Sequence, residues 1–214
     1  MTRRDRQRER TREDIIDATA GALRDSGYAG VRIEDICERA GVSRGAFYHH
    51  FPSKEAAIVA LLERDSEVLF RYNDLIRERA AGDPVQHAAL GLALALRFAE
   101  RQGPIAHAYY IDTLGLPEAQ ALRDRAEEAF EARILIDLEA GLAAGELFSL
   151  DPKATVRAAI GAASQMAVSF LQGRVDDLDG ALRELVRFTL MGLGIDRQRA
   201  LEAGDRAVEF RLPE

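Results

Sequence analysis

Apolar residues recur along this chain at intervals of three and four, which is the spacing of an amphipathic α-helix. Ala, Leu, Glu and Arg dominate, and the alternation of β-branched residues that is typical of strands is rare. The pattern predicts an all-α protein. The predicted helices cover about 12–26, 33–40, 44–50, 54–79, 85–101, 105–114, 118–144, 152–172 and 178–193, and a polar tail over 196–214 is expected to be loose, with room for a helical turn or two.

Capping residues divide the first 55 residues into four helices. Thr11 is a suitable N-cap for the first helix, and Gly27 supplies its stop. Gly41 ends the second helix, Ser43 caps the short third helix, and Ser53 caps the long fourth helix after a proline break. Two helices joined by such a tight turn form a helix-turn-helix.

The turn and the short third helix carry the chemistry of DNA recognition. Gly41 allows the sharp turn, and Val42 is expected to pack between the two helices and fix their angle. Ser43 points the positive end of the third helix towards DNA. Phe47 faces the domain core, whereas Cys37 in the second helix is interpreted as a small core residue.

The outer side of the third helix is polar and small. Arg44 can contact a guanine edge or a phosphate, and Gly45 removes bulk where protein backbone approaches DNA backbone. Tyr48 and His49 project outwards, while His50 is expected to pack or cap as readily as it contacts DNA. The candidate DNA-binding residues are Ser43, Arg44, Gly45, Ala46 (against a thymine methyl), Tyr48, His49 and, at the start of the fourth helix, Lys54.

The charge distribution is uneven along the 214 residues. Net charge is −7, which by itself disfavours nucleic acid, but residues 1–54 hold 11 Lys and Arg against 9 Asp and Glu. The remainder holds 18 against 27. Six arginines lie within residues 1–12, and we interpret them as a basic arm on a DNA-binding domain that precedes an acidic body. A disordered arginine-rich tail without a role is the alternative.

The remaining composition favours a cytoplasmic globular protein without metal or cofactor. One cysteine provides neither a disulfide framework nor a CxxC motif, and no secretory leader is expected. The longest strongly apolar run, 88–96, is too short for a membrane span, which needs about 20 residues. Gly192-Leu193-Gly194 lacks the preceding strand of a phosphate loop, and no nucleophile motif is present, so an enzyme is not predicted.

Residues 11–55 closely resemble the DNA-binding domain of the tetracycline-repressor (TetR) family of bacterial regulators. The residues that match are Gly27-Tyr28, Ile33-Glu34-Asp35-Ile36, Ala40-Gly41-Val42-Ser43 and the run from Gly45 to Glu55. Val31 and Arg32 depart from the family pattern, which places Thr or Ser before the second helix. Arg32 is therefore expected to contact phosphate by charge alone, as a weaker cap that costs about 1 kcal/mol.

The resemblance implies two domains: a helix-turn-helix DNA-binding domain with its basic arm over 1–53, and a larger helical ligand-binding and dimerisation domain over 54–214. The two long C-terminal helices, with small residues such as Ala158 and Gly161, suit a four-helix dimer interface, although their stripes can also pack within one chain. Candidate ligand-binding residues are His87, His107, Tyr109, Tyr110, Gln165 and Met166, the last also suited to core packing.

A metal site at the histidines is not predicted. His87 and His107 have no second ligand at the i+4 spacing, and Asp112, five residues after His107, falls off its face of an α-helix. The resemblance implies a homodimeric repressor that binds a palindromic DNA operator, with the fourth helix as the lever by which a small-molecule effector releases it. An activator with the same DNA-binding domain is the first alternative, and a helical enzyme is the second.

Overall fold

The computed structural model describes residues 2–80 and 82–212, and its regular structure there is helical, which confirms the all-α prediction. No strand is present within those residues. The elements are α1 (Arg3–Gly30), α2 (Ile33–Ala40), α3 (Arg44–His50), α4 (Lys54–Ala80), α5 (Pro84–Gln102), α6 (Pro104–His107), a π-helical turn (Ala108–Asp112), α7 (Pro117–Ala143), α8 (Pro152–Leu171), α9 (Leu178–Gly192) and α10 (Arg197–Glu209).

Two compact units divide the chain. The first comprises the residues up to Glu67 together with Gly103–Leu122, and the second comprises Val68–Gln102 and the residues from Arg123 onwards. α6 and the π-helical turn therefore pack with α1 in the first unit. The division at residue 53, expected from the sequence, stays a prediction.

The core of the first unit is built from fully buried side chains of all four N-terminal helices. Ile15 and Leu23 of α1, Ile36 of α2 and Phe47 of α3 are inaccessible to solvent, and Ile58 of α4 joins them. Phe47 is the one large side chain of α3 that is fully buried in this core, and the helix leaves Arg44, Gly45, Tyr48 and His49 exposed. The core thus holds α3 in place through the buried face of that helix, which carries Phe47.

The second unit packs α5, α8, α9 and α10 around its own core. Leu96 of α5 and Leu182, Val186 and Leu190 of α9 are buried there. α10 closes against α9 and α5 through small side chains, namely Ala200, Ala203, Gly204 and Ala207. The expectation of a loose tail after residue 196 is therefore wrong. The small residues of α10 allow close contact between helices. They are too weakly hydrophobic to reveal a buried helix face in the sequence.

The first helix begins earlier than the sequence indicated. Thr2, not Thr11, is the N-cap: its hydroxyl accepts from the Asp5 N–H at 3.1 Å, and the Asp5 carboxylate accepts from the Thr2 N–H at 2.8 Å. Thr11 lies inside the helix and donates to the Gln7 carbonyl at 3.0 Å. The predicted basic arm is consequently the first turns of α1. Gly27, at φ 63°, interrupts the helical backbone near its end.

The segment predicted as one helix over 105–114 is instead a short α-helix followed by a π-helical turn. Thr113 N–H bonds the Ala108 carbonyl at 3.1 Å, the i to i+5 pattern of a π-helix, and its hydroxyl donates to the same carbonyl at 2.9 Å. His107, the last residue of α6, and Asp112, the last residue of the turn, lie on one side, with Nδ1 and Oδ2 2.8 Å apart. The expectation that Asp112 falls off the face of His107 is wrong, because it assumed an α-helical period.

Candidate nucleic-acid interface

The turn between α2 and α3 has the geometry of a helix-turn-helix. Gly41 adopts a left-handed conformation, φ 65° and ψ 31°, that a residue with a Cβ atom rarely takes, and the Val42 N–H bonds the Cys37 carbonyl at 3.0 Å. Val42 is half-buried against the core of the first unit. Ser43 caps α3 by accepting from the Ala46 N–H at 3.1 Å. The capping of α3 by Ser43 is therefore confirmed.

α3 presents its predicted contact residues to solvent while its inner face is fixed. Phe47 is fully buried, and its ring meets that of Tyr48 edge to face at 5.6 Å between centroids. Tyr48 itself is 48% exposed. Ser43, Arg44, Gly45 and His49 are exposed, and Ala46 is half-buried. The helix can therefore enter a groove without unfolding its own domain.

The cations of this surface pair with acidic neighbours in the free protein. Arg44 Nη1 lies 2.9 Å from Glu34 Oε1, and a hydrogen bond with Tyr48, followed by the charge of Glu34, raises the pKa of Arg44. Arg32 holds Asp35 through two bonds, Nε–Oδ2 at 3.0 Å and Nη2–Oδ1 at 2.9 Å. These exposed pairs are weak and can exchange for phosphate.

Lys54 is held against the end of α1. Its ammonium donates to the Val31 carbonyl at 3.0 Å and the Tyr28 carbonyl at 3.5 Å, and it lies 5.5 Å from the centre of the Tyr28 ring. Ser53 accepts from the Ala56 N–H at 3.2 Å and so caps α4, as expected. Lys54 thus joins the start of α4 to the end of α1, and its contact with phosphate stays a prediction.

The N-terminal turns of α1 were not predicted as helix: the first helix was expected to begin at about residue 12, but it begins at Arg3. Arg3, Arg4, Arg6, Arg8 and Arg10 are exposed. The Arg12 guanidinium lies 5.4 Å from the centre of the Phe51 ring, which follows α3. Two features of the sequence indicate this helical start. Arg, Gln and Glu are good helix formers and no helix breaker interrupts them, and Thr2 with Asp5 forms a capping box.

The candidate ligand-binding residues fall in two places. His107, Tyr109 and Tyr110 belong to the first unit, where the two tyrosine rings meet edge to face at 5.0 Å between centroids. His87, Gln165 and Met166 belong to the second unit. There Met166 packs on the core, and Gln165 is exposed with its amide 3.5 Å from the Ser169 hydroxyl.

His87 is the most deeply buried of the six candidates, with a side chain only 6% exposed. Its Nδ1 atom lies 3.0 Å from Oδ2 of Asp137, outside hydrogen-bond geometry, and Arg77 donates to Oδ1 of that carboxylate through Nε and Nη2, both at 3.0 Å. Burial lowers the pKa of His87; the Asp137 charge opposes this and Arg77 reinforces it. Among the described residues nothing hydrogen-bonds Nε2.

Neither a metal cluster nor a membrane span emerges from the described ranges. Residues 2–80 and 82–212 hold no group of three or more His, Cys, Asp or Glu side chains arranged for a metal ion. Across the same ranges, no helix combines the length and the apolar character that crossing a bilayer requires.

Residues 15–61, which include the whole helix-turn-helix, match the model of the family described as bacterial regulatory proteins, tetR family. The nucleoid occlusion factor SlmA of Marinobacter nauticus is 32% identical over 170 residues, 79% of this chain and 84% of that protein. The chain belongs to the tetR family. Its helix-turn-helix is the part that matches the family model, as the resemblance of residues 11–55 implied.

One further relative and one solved structure extend the comparison. SlmA of Alteromonas mediterranea is 36% identical over 121 residues, which are 56% of this chain but only 60% of that relative. The crystal structure of RolR in complex with the ligand resorcinol superposes with a TM-score of 0.72 at 23% identity and covers 98% of each chain. At that identity the superposition shows a shared fold alone.

Proposed function

We propose that this TetR-family regulator is a ligand-responsive repressor that acts as a homodimer on a palindromic DNA operator. The observation that carries the proposal is the exposed face of α3, where Arg44, Tyr48 and His49 stand on a helix that Ser43 caps and Phe47 anchors. Exposed polar and cationic groups on a rigid helix are what direct readout in the major groove requires. Arg32 and Lys54 supply the phosphate contacts that position it.

Two features support the proposed homodimer: the short length of α3 and an apolar surface on α9. Seven residues read only a few base pairs, so two copies, about 34–36 Å apart, are needed for a specific site. Phe188 is 75% and Met191 52% exposed, one helical turn apart on α9. On α8, the exposed residues Ala158 and Gly161 allow a facing helix to approach closely. We assign this surface to a second copy of the chain.

The effector site is proposed around His87. The Asp137 carboxylate at 3.0 Å favours the proton on Nδ1, which leaves the buried Nε2 atom as an acceptor for a hydroxyl or N–H group of a neutral ligand. The structurally similar RolR binds resorcinol, a neutral diphenol, so resorcinol is a suitable first probe. A rise in melting temperature with resorcinol that is lost in His87→Phe would support the site, and equal rises in both proteins would move the site elsewhere.

The route from effector to DNA is proposed to run along α4. Arg77 lies near the end of α4 and binds Asp137, which contacts His87, while α4 begins at Lys54. A ligand that displaces His87 alters this chain of contacts and so favours one of two conformations. Coupling of about 1–3 kcal/mol is sufficient for a 5- to 150-fold change in operator affinity.

The DNA-binding proposal is tested by selecting bound sequences from a random duplex library and then measuring affinity for the recovered site. Arg44→Ala and Tyr48→Phe are expected to weaken that affinity roughly tenfold or more, since each removes a contact worth about 1–3 kcal/mol. His107→Gln, at the last residue of α6, is the control and should bind normally. Unchanged affinity in both α3 variants would defeat the assignment of the interface.

The sign of regulation separates repressor from activator. A reporter placed behind the recovered site should rise in a strain that lacks the gene and fall when the gene is restored. The opposite sign would establish the activator alternative, with the same DNA-binding domain.

Nucleoid occlusion is a second candidate function, because the match to SlmA of Marinobacter nauticus runs over 170 residues and so extends well beyond the helix-turn-helix. Chromatin immunoprecipitation distinguishes the two. A repressor occupies a few sites at promoters. Occupancy of many dispersed sites, together with division septa that form across the chromosome when the gene is deleted, would favour the second function.

A further inference from the structure

The first three turns of α1 extend beyond the core of its unit. The first fully buried residue of the helix is Ile15, and the residues from Thr2 to Arg10 are all exposed. The capping box of Thr2 and Asp5 secures the free end. Because the extension propagates from a helix that is already packed, it does not bear the cost of nucleation. It therefore forms a rigid rod of arginine-rich helix.

The arginines of this rod fall on two faces. Arg4, Arg8 and Arg12 follow at intervals of four and share one face, which continues the side of α1 that packs into the core through Ile15 and Thr19. Arg3, Arg6 and Arg10 lie on another face, away from it. Asp5, Glu9 and Glu13 form an acidic stripe between the two sets, and Arg12 Nη1 lies 3.5 Å from Glu13.

The face of Arg4, Arg8 and Arg12 is directed to the end of the recognition helix. Arg12 lies over the Phe51 ring at 5.4 Å, immediately after α3. The pKa of His50, the last residue of α3, is lowered by burial first, then by His49, Arg8 and Arg12, while Glu9 opposes them. Arg8 and Arg12 are thus near enough to His50 to act on its charge. The face of Arg4, Arg8 and Arg12 therefore lies on the same side of the unit as the end of α3.

We propose that Arg4, Arg8 and Arg12 form a second DNA contact, which grips the phosphates that flank the bases read by α3. The inference rests on the proposed DNA binding by α3 and adds to it a contact made by a rigid helix. The three side chains span about 12 Å along the helix axis. Each guanidinium is permanently charged and can bind phosphate through two parallel hydrogen bonds. The contact is independent of base sequence and strengthens binding to any duplex.

The test compares two triple variants of identical charge. R4Q/R8Q/R12Q removes the proposed contact, and R3Q/R6Q/R10Q removes the same charge from the other face. Glutamine is a good helix former, so circular dichroism should show unchanged helix content in both. Binding of each full-length protein to a fluorescent 30-base-pair duplex of random sequence is measured as a function of NaCl concentration.

For R4Q/R8Q/R12Q, the slope of log K against log salt should fall in magnitude by about 2.7 per protomer, about 0.9 for each phosphate lost. For R3Q/R6Q/R10Q, the magnitude of the same slope should fall by less than about 1. Equal changes in the two variants, or none in either, would overturn the inference while leaving binding through α3 intact. Failure of the unmodified protein to bind duplex DNA would instead overturn the proposed function itself.

Discussion

The imidazole of His87, on α5, and the carboxylate of Asp137, on α7, lie 3.0 Å apart with Arg77 of α4 on the far side of the carboxylate. Three helices of the second unit are therefore joined by one polar cluster. Because burial lowers the pKa of His87 below its usual value of 6.5, the ring is neutral at physiological pH. Its protonation works against folding.

The first prediction concerns the pH dependence of stability. The unfolded chain binds a proton at His87 more readily than the folded chain does, so the free energy of unfolding rises with pH between the lowered pKa and 6.5. This stability is complete above about pH 6.5 and is lost as pH falls below it. Urea denaturation from pH 7.5 to pH 5 should show a smaller loss for His87→Gln than for the wild type. Parallel curves would contradict the assignment.

The second prediction concerns the pair of Glu34 and Arg44. Glu34→Gln removes a negative charge 2.9 Å from Arg44 and releases its guanidinium for DNA. Affinity for the recovered operator should rise about threefold to tenfold at low salt, while stability changes by less than about 1 kcal/mol because both side chains are exposed. Glu38→Gln, an equal charge change on α2, is the control. An equal rise in that variant would indicate a bulk charge effect only.

The third prediction separates fold from DNA contact at Gly45. A Cβ atom there would meet only the Ser43 hydroxyl oxygen, at 3.8 Å, so the protein itself does not require glycine at this position. Gly45→Ala should leave the melting temperature unchanged or slightly higher, since alanine favours helix. DNA affinity should nevertheless fall about tenfold, because the methyl group occupies the space that DNA needs. Normal binding by this variant would remove Gly45 from the interface.

The fourth prediction compares two helical glycines. At Gly204 a Cβ atom would lie 3.1 Å from the Arg183 carbonyl oxygen, and backbone cannot move aside as a flexible side chain can. At Gly91 it would meet nothing within 4 Å. Thermal or urea denaturation should show that Gly91→Ala stabilises by about 0.5–1 kcal/mol and Gly204→Ala destabilises by about 1 kcal/mol. Stabilisation by both would mean that α9 and α10 are less tightly packed than described.

The fifth prediction concerns self-association. Phe188→Ser combined with Met191→Ser removes the two large exposed apolar side chains of α9 and should convert a dimer to a monomer at micromolar concentration, as measured by sedimentation velocity. Leu114→Ser is the control, since Leu114 is 59% exposed on the first unit. A variant that remains dimeric would place the interface elsewhere.

Local determinants explain which parts of this structure were predictable. The bounds of α2 and α3 follow from Gly41 and Ser43, whose effects on the backbone are confined to the adjacent turn. α10 escaped prediction because its buried face is made of alanine and glycine, which signal little hydrophobicity although they pack closely. The π-helical turn escaped because residue intervals were interpreted with the α-helical period.

In the candidate site, the exposure of side chains on α3 was predictable from the sequence, but their contacts with other helices were not. The exposure of Arg44 and Tyr48 follows from the anchoring of α3 by Phe47. The partners of the site were not predictable. The contacts of Lys54 with the end of α1, and of His87 with Asp137, join helices that are distant in the chain, and no local pattern encodes such contacts. They depend on how the helices pack.

The π-helical turn from Ala108 to Asp112 has a consequence for how this gene can change. An α-helix places residues four positions apart on the same face, whereas this turn places His107 and Asp112, five positions apart, on the same face. The turn therefore contains one residue more than an α-helix would need to bring these two side chains together. A descendant that lost a single codon between His107 and Asp112 would straighten the segment into ordinary helix and keep the imidazole beside the carboxylate. The π-helical turn thus accommodates one additional residue without separating these two side chains.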